Sequence, residues 1–108
     1  TVGLADPLRK ALAPLAPRIA AAFVFGSVAK RSDNAASDID VLVLSDSVDY
    51  ADAFAALQPA EARLARRINP TVYSPADWRK KRKQGNAFVV KVSAQPKVFL
   101  IGTEDALG

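Results

Sequence analysis

The chain has 108 residues, with 15 Lys and Arg against 11 Asp and Glu, a net charge of +4, and neither cysteine nor histidine. Disulfides, thiolate chemistry, His-ligated zinc and Ser-His-Asp triads are thereby excluded within it, and no apolar run reaches the roughly 18 residues of a membrane span. The length predicts one small domain over 1–108 with a modest core, and the mild positive charge suits anionic ligands such as nucleotides. No signal-peptide pattern opens the chain, and the lack of cysteine fits an expected cytoplasmic setting. It begins at Thr1 rather than Met, which suggests a piece of a longer protein with an upstream domain.

Asp6 and Pro7 read as an N-cap and a first-turn proline, opening a helix towards Ile19. Leu8, Leu12, Leu15 and Ile19 fall on one face of it, and Pro14 and Pro17 predict a kink or an early stop. Ala20 to Phe25 is a short, aromatic-containing apolar run ended by Gly26, a buried strand. Ser27 to Ser37 has loop composition, with one helical turn expected at Val28 to Arg31. Ile39 to Leu44, rich in β-branched residues, is the clearest strand, followed by a turn over Ser45 to Asp49. Tyr50 to Arg67 reads as a helix with Phe54, Leu57 and Leu64 towards the core, broken in two by Pro59.

Ile68 to Tyr73 predicts a third strand, placed at a sheet edge by Pro70. Ser74 and Pro75 start a further helix with Asp77 in its first turn; it carries WRKKRKQ and ends at Gly85. Asn86 caps another helix through Ala94, and Lys97 to Ile101 is a last strand. Trp78 reads as a core or interface anchor. The cations from Arg79 to Lys83 spread around their helix, which favours a solvated face over a strong nucleic-acid surface. Tyr73 reads as a packing residue. The fold class is α+β with α/β-type layers, a small mixed sheet carrying helices.

One stretch stands out: GSVAKRSDNAASDID, Gly26 to Asp40. A strand alternates its side chains, so Asp38 and Asp40 share a face and Ile39 and Val41 take the other. Two carboxylates that close repel unless a cation lies between them, and Mg²⁺ takes hard oxygen ligands together with substrate phosphates. Gly26 at the end of the preceding strand permits a sharp turn and close approach. Ser27 and the amides after it suit phosphate oxygens, and Lys30 and Arg31 add positive charge. One strand end thus offers a phosphate cradle and the next strand start a metal site, together a site for a metal-bound nucleoside triphosphate.

Gly26, Ser27, ten residues, then Asp38 and Asp40 between apolar strands resembles the signature of the minimal nucleotidyltransferases of the DNA polymerase β superfamily. The resemblance extends as pattern from about Leu8 to about Ile101. It implies a nucleotidyltransferase-like fold and transfer of a nucleotidyl group, typically adenylyl from ATP, to a hydroxyl or similar acceptor. Ser27 would hold the terminal phosphates. Asp38 and Asp40 would bind the metals, with one or two Mg²⁺ ions as cofactor and a two-metal clamp on the attacking and leaving oxygens. The resemblance also implies a third carboxylate on the following strand. That strand, INPTVYS, has no acid, and Asn69 falls at its place, while Glu61 and Asp77 lie outside the strand. An asparagine carbonyl is a neutral, weaker metal ligand and a poor base, so nucleotide binding is expected to outlast transfer. Two other roles are consistent with such a domain. One is a non-catalytic nucleotide-sensing module of a transcriptional regulator, joined to a DNA-binding helix-turn-helix. The other is an antitoxin-like module that binds a helical toxin partner, with the basic helix at Trp78 to Lys83 as the docking face.

Overall fold

The computed structural model describes residues 2–26 and 37–108. Its elements in chain order are α1 (Val2–Leu12), a 3-10 segment (Ala13–Arg18), β1 (Ala21–Phe25), β2 (Ile39–Leu44), α2 (Tyr50–Leu64), β3 (Ile68–Tyr73), α3 (Pro75–Lys83), α4 (Ala87–Ala94), β4 (Lys97–Ile101) and a final 3-10 turn (Glu104–Leu107). The four strands form one mixed sheet in the order β3-β2-β1-β4. β1 runs antiparallel to β2 and to β4, whereas β2 and β3 are parallel. A parallel pair needs a crossover, and α2 supplies it.

Strand alternation sorts the core into two faces. Ala22, Val24, Ile39, Val41, Val43 and Ile68 pack with Leu8 and Leu12 of α1 and Leu57 of α2. On the opposite face, Phe23, Phe25, Leu42 and Leu44 pack with Trp78 of α3, Val89 and Val92 of α4, and Leu107. The expected α+β arrangement of a small mixed sheet with helices on it is what the chain adopts. β3 is an edge strand, as Pro70 suggests, and Pro70 pairs in register with Val41.

Three local expectations are corrected. α1 begins at Val2, ahead of Asp6, and Pro7 lies inside it. Asp6 is no cap and pairs instead with Arg9 at 3.7 Å. Ala5 and Leu8 on either side of the proline are buried, and their packing extends the helix through a residue that would otherwise start it. α2 is continuous through Pro59, because Leu57 and Ala60 flank it in the core and hold both halves in line. Its start is a capping box, in which the Asp49 carboxylate accepts from the Asp52 amide at 2.8 Å and Asp52 accepts from the Asp49 amide at 3.2 Å. Phe54 is not a core residue: it is 42% exposed and stacks outside on Tyr50, with ring centroids 5.9 Å apart. The buried face of α2 is set by Ala53, Leu57 and Ala60, and Phe54 falls beside it.

α2, read as far as Arg67, ends at Leu64, where Ala65 turns left-handed; the other boundaries agree with the sequence reading to within a residue or two. The prolines at 14 and 17 end α1 and leave a 3-10 segment. Ser74 caps α3 by accepting from the Asp77 amide at 3.0 Å, and Asn86 caps α4 by accepting from the Val89 amide at 3.1 Å. Trp78 is fully buried and meets Phe23 edge-on at 6.3 Å between centroids. Among the described residues no helix is long and apolar enough to cross a membrane.

Candidate functional site

Asp38 precedes β2 directly and Asp40 is its second residue. Their backbone is held by the segment that leads into β3. Arg66 Nε donates to the Ser37 carbonyl at 2.8 Å, and the Ile39 amide donates to the Arg67 carbonyl at 2.8 Å. The parallel ladder then places Asn69 opposite Asp40. The antiparallel ladder on the other side places Phe25 opposite Asp40. Gly26, next in the chain, therefore lies against the Asp40 carboxylate, and a Cβ added there would stand 3.4 Å from Asp40 Oδ2. Gly26 has φ +84°, in the left-handed region that favours glycine.

Asn69 joins the pair. Its amide nitrogen donates to Asp38 Oδ2 at 3.2 Å and reaches Asp40 Oδ1 at 3.5 Å. Asp38 is exposed and Asp40 half-buried. Burial pushes the Asp40 carboxyl above its ordinary value, the Asn69 amide works against that, and the Asp38 charge adds to the rise. The two acids flanking β3 are engaged elsewhere. Glu61 accepts from the Ile68 amide at 2.8 Å, which fixes the start of β3, and Asp77 pairs with Lys81 at 4.0 Å.

A cavity of about 350 Å³ opens beside Asp40, lined by Phe25, Gly26, Thr71, Phe88, Lys91, Val92 and Gln95. Its sheet wall is the face of β2 and β3 that carries Asp40 and Thr71. Its helical wall is α4, where Phe88, Lys91 and Gln95 recur at three- and four-residue spacing. Those three positions and Thr71 are absent from the sequence-based site. Their helical period was visible, but not the sheet face that α4 covers. A larger cavity of about 680 Å³ lies between α1 and α2, with Pro7, Pro14, Leu15, Ala56 and Pro59 in its walls. It is mostly apolar, and its one acid, Asp52, belongs to the α2 capping box. The site chemistry is on the other face.

Gly26, Asp38, Asp40 and Asn69 are thus brought together. Ser27, Lys30 and Arg31, and the turn expected at Val28 to Arg31, lie outside the described residues. The two carboxylates are hard donors of the kind Mg²⁺ takes, with water or phosphate to complete its shell, whereas Asn69 turns its amide nitrogen towards them. Among the described residues no three His, Cys, Asp or Glu side chains gather to hold a metal.

The family model described as "Polymerase beta, Nucleotidyltransferase" matches residues 9–79. Three solved structures share the fold. A toxin–antitoxin with AMP-PNP aligns at a TM-score of 0.64 and 19% identity, over 94% of this chain and 75% of that one. The toxin–antitoxin MntA-HepT aligns at 0.60 and 17% identity, over 99% of this chain and 77% of that one. A double Asp-to-Glu mutant of a toxin–antitoxin aligns at 0.59 and 17%, over 94% and 75%. Among curated proteins none matches the chain significantly.

Proposed function

Because the chain belongs to the polymerase beta nucleotidyltransferase family, we propose that it binds a magnesium-bound nucleoside triphosphate, ATP by preference, and slowly transfers the nucleotidyl group to an acceptor oxygen, breaking the α–β phosphoanhydride bond and releasing pyrophosphate. The observation that carries the reading is that Gly26 and Asp40 line one cavity, with Asp38 joined to Asp40 through the shared Asn69 amide. Asp38 and Asp40 would hold the cation, whose chemistry is to draw charge from the phosphate oxygens and orient the triphosphate. Gly26 leaves room for a phosphate beside Asp40. Ser27, Lys30 and Arg31 would contact the terminal phosphates. Lys91, exposed on the cavity's helical wall, would add a positive charge that offsets those phosphates. Phe88 and Gln95 would face the sugar or base.

Transfer needs an acceptor oxygen to lose its proton. No histidine exists to take it, and the residue opposite Asp40 is an amide, a poor base. With Asp38 and Asp40 engaged by the cation, the proton would pass to water. That makes binding the strong function and transfer the weak one.

Titration with ATP, with and without Mg²⁺, tests this, alongside an Asp38→Ala/Asp40→Ala variant. Magnesium-dependent binding lost in the variant is the expected result, and a labelled-ATP assay then reads transfer. Unchanged binding in the variant would remove the site. A second reading, a module that docks on a toxin-like protein partner, is favoured by the toxin–antitoxin assemblies among the structures of the same fold. Co-expression with a small helical protein encoded beside it, followed by size-exclusion chromatography, tests that reading. Separate elution would count against it.

A further inference from the structure

Asn69 places an uncharged group at the third corner of the aspartate pair. Its amide lies 3.2 Å from Asp38 Oδ2 and 3.5 Å from Asp40 Oδ1. It is held there by the β2–β3 register, in which it opposes Asp40. Neither neighbouring acid can substitute: Glu61 is bonded to the backbone of Ile68, and Asp77 starts α3 and pairs with Lys81. Among the described residues no further acid joins the pair.

Charge decides how many cations such a site keeps. Two divalent ions held a few ångström apart repel strongly, and anionic ligands around them must offset that repulsion. Two carboxylates balance one dication. A third carboxylate would let a second ion settle on the acceptor side of the phosphate. An amide supplies at most a neutral oxygen after turning its oxygen inward, and in the observed orientation it turns N–H towards the aspartates.

We propose that Asn69 fixes the metal count of this site at one: Asp38 and Asp40 hold the cation that arrives with the triphosphate, and position 69 withholds the ligand a second would need. This rests on the nucleotide-binding reading above. It makes a single substitution at Asn69 enough to change the metal stoichiometry.

The test is equilibrium dialysis of the protein against Mn²⁺ and AMP-PNP, for wild type and Asn69→Asp. Wild type is expected to retain one Mn²⁺ per bound nucleotide. Asn69→Asp is expected to retain two, with apparent Mn²⁺ affinity raised about tenfold or more. Without metal, Asn69→Asp should melt below wild type, because three carboxylates then crowd one spot, and Mn²⁺ should reverse the order. Two Mn²⁺ ions in wild type, or one in both proteins, would overturn the proposal while leaving the nucleotide site standing. No Mn²⁺-dependent AMP-PNP binding by either protein would bring down the nucleotide site, and the metal count with it.

Discussion

Gly26 and Asp40 are in near contact: a Cβ on Gly26 would sit 3.4 Å from Asp40 Oδ2. The glycine therefore answers two demands at once, a left-handed backbone with φ +84° and an unobstructed carboxylate. Gly26→Ala is expected to cost about 1–2 kcal/mol of stability through the backbone alone. It should also weaken metal-dependent nucleotide binding beyond what instability explains. Urea denaturation and calorimetry on the same sample separate the two losses. Equal stability in wild type and variant would show that the backbone demand is absent.

Asp40 carries the cost of its position. Its carboxyl is raised by burial first and by Asp38 as well, despite the opposing Asn69 hydrogen bond. A carboxyl raised in the folded state binds its proton more tightly there than in the unfolded chain. Its contribution to stability is therefore most favourable at low pH and falls as pH climbs from the ordinary value of 3.8 through the raised folded value. Asp40→Asn removes that dependence. The metal-free variant is expected to melt above wild type at neutral pH, with the difference shrinking in acid. Thermal melts across pH check this, and a lower midpoint for the variant at neutral pH would contradict it.

Lys91 stands on the exposed side of the cavity wall, away from the buried Val89 and Val92 of the same helix. Lys91→Ala is expected to leave the thermal midpoint within the scatter of a surface change. It should weaken ATP binding about tenfold, the size of one lost charge-assisted contact. Binding of AMP, which lacks the outer phosphates, should respond less. An equal loss for both nucleotides would move Lys91 from the phosphates to the base or sugar.

Trp78 is wholly buried and touches two aromatic rings, those of Phe23 at 6.3 Å and Tyr73 at 6.2 Å between centroids. Trp78→Ala should cost about 3–5 kcal/mol, a large part of what a domain of this size has. Chemical denaturation reads it directly. A loss below about 1 kcal/mol would mean that the ring is not the anchor of that face.

Much of the arrangement was legible in the chain because it follows from periodicity. Asp38 and Asp40 share a face through strand alternation, and Asn69 reaches them through a ladder of plain register. The prolines were less readable. Pro7 and Pro59 look like boundaries locally, yet Leu8, Leu57 and Ala60 bury enough surface to carry helices through them. Phe54 shows the complementary error: hydrophobicity alone cannot tell a core position from its neighbour on a helix whose buried face is mostly alanine. Thr71, Phe88, Lys91 and Gln95 were out of reach because they meet Asp40 only after α4 lies across the sheet.

The interior place of β1 also bears on how the chain comes together. β1 leans on β2 on one side and on β4 on the other, and β4 is the last of these four strands to leave the ribosome. Phe23 and Phe25 wait nearly as long for the cover that Trp78, Val89 and Val92 provide. The layer of α1 and α2 can condense on β1, β2 and β3 first. A nascent chain caught at that stage would show an open strand edge and bare phenylalanine rings, features that chaperones bind and that favour aggregation. In pulse-labelled hydrogen exchange, the amides of β4 should gain protection after those shared by β2 and β3. The helical wall of the cavity beside Asp40, supplied by α4, is then built late, just ahead of the β1–β4 pairing.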